Sequence, residues 1–216
     1  MKDFLKDIGF FLKKFYDKST NKFITVETNV KEVEHDVIRK ILSYFQDKES
    51  YYIKEGTLIL GFDLSKVIHV KNLEELIDKI NDQYEKTFKN YADKYNLANH
   101  YTKNRYCYMY FSSYLTYYEA KNIFALLNLS REYLIEKNIT TAILLSNSMM
   151  NIFLHISKDI FSWSQYNFNF SEEKSIDSKD INNFSFATIN YSAKYYEQIE
   201  MLENNYLSAG MQNKIL

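Results

Sequence analysis

Glu119 and Lys121, in the stretch "YEAK", are a carboxylate and a lysine separated by one residue. A carboxylate two residues before a lysine is the spacing with which metal-dependent nucleases hold Mg²⁺ and stabilise developing negative charge. Such sites place the pair on a strand and add an upstream acid, for which Asp63 and Asp93 are the candidates. Here the pair lies at the start of a predicted helix, and three-residue motifs recur by chance. A divergent nuclease is therefore an alternative hypothesis for this chain.

Two further polar pairs are candidates for contact with a ligand or a partner. Asn128 and Arg131 lie three residues apart in the predicted helix "YYEAKNIFALLNLSREYLIEKN", so they share a helix face. Asp159 and Trp163 bracket the stretch "DIFSW". The competing structural interpretation is that the arginine pairs with a nearby acid, the asparagine binds backbone, and the indole fixes a turn. We keep all four as candidate interaction residues.

Ser146 and Asn147 end a buried strand, "AILLSN", at a position that contacts phosphate in many nucleotide-binding folds. Small polar residues are also the preferred residues at the beginning of a helix. The helical stretch "MMNIFLHIS" follows almost at once. We predict that both residues cap this helix, with ligand contact as the alternative.

Metal and thiol chemistry find little support in the sequence. The histidines (His35, His69, His100 and His155) are far apart and show no metal-ligand spacing with one another or with Cys107. Cys107 lies in an apolar, strand-like run, where a thiol is buried and its pKa raised. We expect no metal, no cofactor and no catalytic cysteine.

Composition limits the class of protein further. The 216 residues are 46% hydrophobic, enough for one domain with a core, and 27 basic residues against 28 acidic ones leave a net charge of -1. That balance argues against a general nucleic-acid-binding surface. No stretch reaches the ~18 apolar residues of a membrane span. The single cysteine fits a reducing compartment, so we expect a cytoplasmic protein.

Hydrophobic periodicity predicts the elements that must position these residues. Strands are expected around residues 24–28, 58–61, 106–111, 140–145 and 166–170, and amphipathic helices separate them. Alternating strands and helices predict an α/β fold, with a mostly parallel five-stranded sheet and helices on both faces. We divide the chain into an N-terminal amphipathic helix (1–18), the α/β domain (22–171), a polar loop (172–185) and a C-terminal helical tail (186–216).

Both terminal helices carry an apolar stripe that needs a covering surface. The N-terminal stripe of Phe4, Ile8, Phe11 and Phe15 predicts packing on the domain or on a partner, and a membrane surface is the alternative. The segment "NYLSAGMQNKIL" of the tail resembles the opening of a tetratricopeptide repeat, and a single repeat cannot bury both of its faces alone. We predict that Tyr206, Leu207 and Met211 contact a protein partner or a second copy.

The order of elements resembles a P-loop NTPase core of the AAA and NACHT/STAND type, of the kind that precedes tetratricopeptide repeats in bacterial proteins. "FITVETN" occupies the place of the phosphate-loop strand, "YCYMYFSS" that of the Walker B strand, and "AILLSN" that of the sensor strand. The stretch "ALLNLSREYLIEKNITTAILLSNSMMNIFLHISKDIFSWSQYNFNF" carries the resemblance best. It implies a P-loop NTPase-like three-layer sandwich and a STAND-like regulatory role, often in bacterial defence or stress signalling.

The departures from that family concern the phosphate site itself. "VKEVEHDVIRK" follows the first strand with no glycine, and it puts Glu32 and Glu34 where phosphate charge would lie. The Walker B strand ends in Phe111, Ser112 and Ser113 rather than in an acid. We therefore expect a non-catalytic regulatory or adaptor protein that acts through protein contacts. The alternatives are the Glu119–Lys121 nuclease and a nucleotide sensor without a Walker A loop.

Overall fold

The computed structural model describes residues 2–18, 22–29, 31–95 and 104–170. The chain divides into two units, Met1–Ser171 and Glu172–Leu216, and every described element belongs to the first. The strands are β1 (Phe23–Thr28), β2 (Thr57–Asp63), β3 (Asn104–Tyr110), β4 (Ile139–Leu145) and β5 (Ser164–Phe170). The helices are α1 (Lys2–Phe15), α2 (Lys31–Gln46), α3 (Glu49–Lys54), α4 (Leu73–Tyr95), α5 (Tyr117–Leu129), α6 (Arg131–Glu136), α7 (Asn147–Ile156) and α8 (Lys158–Ser162), with a short 3-10 helix at Leu64–Val67.

The five strands form one sheet in the order β2-β3-β4-β1-β5, and every neighbouring pair is parallel. The register pairs Phe23 of β1 with Thr141 of β4, and Tyr106 of β3 with Thr140 of β4. This confirms the predicted α/β fold, and the sheet is wholly rather than mostly parallel. The strand order is consistent with a P-loop NTPase-like sandwich.

The helices cover the sheet as two layers. Contacts link α1 with α2 and α2 with α3, whereas α4, α5, α7 and α8 form a second contacting group. The chain runs from β1 to β2 across the sheet in one direction and then returns through β3 and β4 to β5. Right-handed crossovers in opposite directions lie on opposite faces of a sheet. The result is the expected three-layer arrangement.

Strand burial follows position in the sheet. Every residue of β4 is buried, from Ile139 to Leu145, because this strand has a neighbour on each side and helices on both faces. β5 is an edge strand, and its residues alternate between more and less exposed along most of its length. The apolar run "AILL" and the alternating run "YNFNF" are typical of these two environments.

Helix α1 packs on its own domain. Ile8, Phe11 and Phe15 are buried, and the ring of Phe11 packs edge-on against Phe168 and Phe170 of β5. The covering surface that the apolar stripe requires is therefore supplied by the domain itself. Among the described residues, none of the helices combines the length and the apolar character that a membrane crossing needs.

The predicted continuous helix over residues 117–138 is wrong, because the helix is interrupted at Ser130. The buried Ser130 hydroxyl donates to the carbonyl of Leu127 at 2.8 Å, and its backbone N–H donates to both Leu126 and Leu127. Serine side chains that bond backbone compete with helical hydrogen bonding. Helix α6, which follows the break, contacts β4. The predicted loop 172–185 and tail 186–216, with Tyr206, Leu207 and Met211, lie outside the described residues.

Candidate functional site

The carboxyl ends of the strands are the edge at which parallel α/β folds usually bind ligands. Glu34, in the first turn of α2 directly after β1, is only 4% exposed. Its carboxylate pairs with Lys31 at 3.1 Å, and Lys31 also donates to the carbonyl of Phe111, the residue after β3. Burial raises the pKa of Glu34, and the ammonium of Lys31 opposes that rise. The first turn of α2 thus holds a buried carboxylate with its own cation.

Asp63, the last residue of β2, places a second carboxylate at the same edge. Its Oδ1 accepts from the backbone N–H groups of Ser65 and Ser112, each at 3.1 Å, and so joins the ends of β2 and β3. Burial works to raise the pKa of Asp63, but hydrogen bonds from Ser112 and Ser65 outweigh it and hold that pKa below its ordinary value. Asp63 therefore stabilises the strand ends as an ionised acceptor.

Ser146 and Asn147 also lie at this carboxyl edge, and their roles differ. Ser146 is the N-cap of α7 and accepts from the N–H of Met149, which confirms the predicted cap. Asn147 is the first residue of the helix rather than a cap, and its side-chain amide donates to Glu27 of β1 at 2.8 Å. Asn169 of β5 donates to the other oxygen of Glu27 at 3.2 Å. The cap prediction is therefore right for Ser146 and wrong for Asn147.

The Glu119–Lys121 pair lies in the first turns of α5. Thr116 is the N-cap, and its hydroxyl and backbone N–H both bond the Glu119 carboxylate at 2.8 Å. The Glu119 N–H donates in turn to the Thr116 hydroxyl at 3.3 Å, which completes a capping box. The hydrogen bonds from Thr116 lower the pKa of Glu119. The pair lies on a helix, as its sequence context predicts, and not on the strand that a Glu-x-Lys nuclease site requires.

At the opposite, amino edge of the sheet, four of the candidate residues meet. Asp159 Oδ2 accepts from the Asn128 amide at 3.0 Å and lies 3.3 Å from the Arg131 guanidinium. Asn128 Oδ1 accepts from the Ile160 N–H in α8 at 2.9 Å. The guanidinium of Arg131 stacks over the ring of Trp163 at 5.1 Å. We call Asn128, Arg131, Asp159 and Trp163 the Trp163 cluster.

A cavity of about 280 Å³ lies beside this cluster. It is bounded by the first residues of β1, β4 and β5 and by α6 and α8. The lining consists of Lys22, Phe23, Arg131, Leu134, Ile135, Ile139, Thr141, Ile160, Trp163 and Gln165. Most of these side chains are apolar, and the polar ones are few, as is typical of small-molecule sites.

Two of the polar lining residues are buried. Thr141 is fully buried, and its hydroxyl has no hydrogen-bond partner within the described part of the chain. The Lys22 ammonium is also buried and bonds Asp17 Oδ2 at 2.8 Å. A buried hydroxyl without a partner is uncommon in folded proteins and calls for an explanation.

Thiol and metal chemistry remain without structural support where the chain is described. Cys107 is fully buried in β3, and burial raises the pKa of its thiol far above the ordinary value. Among the described residues, no group of three or more histidine, cysteine, aspartate or glutamate side chains could hold a metal ion. The apolar run around Cys107 predicts this burial correctly.

The structure separates the candidate residues into two sets. Asn128, Arg131, Asp159 and Trp163 meet at the amino edge, whereas Ser146 and Asn147 lie at the carboxyl edge. Sequence reasoning missed the cavity and Thr141. The available signal was the pair of threonines in "ITTAILL", polar residues on a strand that is otherwise apolar.

No protein-family model matches this chain, and no curated protein matches it.

Proposed function

We propose that this chain is a non-catalytic regulatory or adaptor protein that acts through contacts with a protein partner. The observation that carries the proposal is the buried Glu34, paired with Lys31 at 3.1 Å, at the helix start that follows β1. In a P-loop NTPase this place holds a glycine-rich loop, whose backbone N–H groups and lysine bind phosphate. A carboxylate there repels a phosphate anion and already engages the nearby cation.

The other acids of the carboxyl edge support the same proposal. Glu27 and Asp63 add two more carboxylates, and both are held by hydrogen bonds from neighbouring strand ends and loops. These carboxylates would repel a phosphate group, so phosphate binding would require cationic side chains or Mg²⁺ to offset the repulsion. Lys31 and Lys66 are already paired with acids of this edge.

The Trp163 cluster supplies the contact surface in this proposal. Trp163 is 41% exposed and Ile135 is 44% exposed, and both line the same cavity mouth as Arg131. Tryptophan and arginine are enriched among the residues that dominate protein interfaces. The guanidinium is held by Asp159 and by the indole ring, so little side-chain freedom is lost on binding. The resemblance to STAND-type proteins supports a place in bacterial defence or stress signalling.

Site-specific photo-crosslinking tests the partner contact. A photoreactive phenylalanine analogue replaces Ile135 in the full chain, and a matched control replaces Tyr51 of α3, which is 57% exposed. We expect one discrete crosslinked species, with a partner or a second copy, from position 135 and none from position 51. Trp163→Ala should abolish that species. Equal crosslinking at both positions, or none at position 135, would refute the proposed surface.

A further inference from the structure

We propose that the cavity beside the Trp163 cluster binds a small molecule made of an apolar, ring-sized body and one carboxylate. Its volume of about 280 Å³ lies just below the roughly 300–1,000 Å³ of sites for drug-sized ligands. The occupant is therefore a compact molecule such as an arylalkanoic acid. This inference concerns the isolated chain and does not depend on the protein partner proposed above.

The apolar side chains of the cavity lining are the reason that we infer an apolar body for the ligand. Six apolar side chains from β1, β4, α6 and α8 and from the residue that follows α8 surround the space, namely Phe23, Leu134, Ile135, Ile139, Ile160 and Trp163. The indole of Trp163 offers a flat ring at the mouth, and aromatic side chains stack on rings in offset or edge-on geometry. An apolar molecule gains free energy from the surface that it removes from water in such a space.

The positive charge of the cavity lining is the reason that we infer a carboxylate on the ligand. The charged residues of the lining are Lys22 and Arg131, and it includes no acid. Lys22 is buried and engaged by Asp17, so Arg131 is the cation that an incoming group can reach. A guanidinium has five N–H donors in a planar fork. Its contacts with Asp159 and Glu132 are 3.3 and 3.6 Å long, which leaves donors for a further carboxylate.

Thr141 is a fully buried residue of the cavity lining. Its hydroxyl is fully buried without a hydrogen bond from the described residues, on the strand face that Ile139 shares. Such a group normally bonds protein or ordered water. That hydroxyl is covered by neighbouring atoms, so the Arg131 guanidinium is the polar group of the lining that we expect to fix a ligand's orientation.

The chain supplies its own probe of occupancy. Trp163 is the single tryptophan of the sequence, and it lines the cavity. Fluorescence of the purified full chain, excited at the red edge of the tryptophan band where its 20 tyrosines do not absorb, therefore reports on this place. The probes are 3-phenylpropionate and 3-phenylpropionamide, which share size and ring and differ in charge.

We expect 3-phenylpropionate to change the Trp163 fluorescence saturably, with half-saturation at or below about 1 mM, and the amide to bind at least about tenfold more weakly. Arg131→Gln should remove the preference for the acid, and Arg131→Lys should retain part of it. The control is Arg39→Gln, because Arg39 is an exposed arginine of α2 paired with Asp36. It should keep the full preference.

Three results would overturn the inference. The first is the absence of saturation with either probe up to about 10 mM in the unaltered protein. The second is equal affinity for acid and amide. The third is a preference for the acid that survives Arg131→Gln in a variant that melts cooperatively. Failure here leaves the crosslinking result at position 135 unaffected, so the two proposals fail separately.

Discussion

The same chemical change at two fully buried threonines should alter stability in opposite directions. Thr141 of β4 has a hydroxyl without a hydrogen-bond partner in the described structure. Thr25 of β1 has a hydroxyl that donates to the side-chain carbonyl of Asn167 on β5. Valine has nearly the shape of threonine but carries a methyl group in place of the hydroxyl. Thr141→Val therefore removes an unsatisfied polar group, whereas Thr25→Val removes a hydrogen bond.

The size of each effect follows from these environments. An unsatisfied buried polar group costs about 1–3 kcal/mol, so Thr141→Val should raise the free energy of unfolding by at least about 1 kcal/mol. Thr25→Val should lower it by about 0.5–1.5 kcal/mol, the net worth of one hydrogen bond. Asn167 keeps a second donor, the Ser164 hydroxyl at 2.9 Å, so its carbonyl is not left unpaired.

Thermal unfolding followed by circular dichroism measures both variants against the parent protein. A change of 1 kcal/mol shifts Tm by about 2–4 °C in a protein of this size. We expect Thr141→Val to melt at least about 2 °C higher and Thr25→Val to melt lower. If Thr141→Val lowers Tm, the Thr141 hydroxyl has a partner, such as an ordered water in the cavity, and the reasoning from its unpaired state is refuted.

Four further predictions test other parts of the structure. Ile143→Asp should prevent folding, because a bare carboxylate inside β4 costs several kcal/mol against a total of about 5–15 kcal/mol, and an unchanged melting curve would contradict the burial of this strand. Thr116→Ala should lower stability by about 0.5–2 kcal/mol in denaturant titrations by removing the α5 cap, and an unchanged midpoint would contradict the capping box. Because the folded-state pKa of Asp63 is lowered, its charge stabilises the protein above the ordinary aspartate pKa of about 4, and this contribution is lost as pH falls through the folded pKa. Asp63→Asn should therefore reduce Tm at neutral pH, with a difference from the parent that shrinks on acidification, whereas a constant difference across the titration would contradict an ionic role. Millimolar ATP with Mg²⁺ should leave Tm unchanged, because the start of α2 carries the buried carboxylate of Glu34, and a rise of several degrees would contradict this prediction.

The positions of the strands followed from local pattern to within two residues at every end. Apolar runs and alternation are properties of neighbouring residues, so they predict β4 as a central strand and β5 as a half-exposed one. The break at Ser130 was missed because it depends on a buried hydroxyl that bonds the backbone, and burial at that position is decided by the packing of α5. Helical periodicity continues across the break and conceals it.

In the candidate site, too, local spacing predicted some features and tertiary packing decided the others. Sequence spacing paired Asn128 with Arg131 and pointed separately to Asp159 and Trp163, because residues three or four apart share a helix face. Nothing in the spacing joins residue 128 to residue 159, which meet only because α5 contacts α8 across the sheet edge. Ser146 lay in the same set of candidates, yet it caps α7 at the opposite edge.

The sequence by itself determined that this chain builds alternating strands and helices and that its first strand is followed by Glu34 rather than by a glycine-rich loop. Both are local facts of residue type and order, and folding does not change them. Only the tertiary structure decided the strand order, the buried pairing of Glu34 with Lys31, and the cavity between the strand starts and helices α6 and α8. A cavity is space that many distant side chains together fail to fill, so no local pattern contains it.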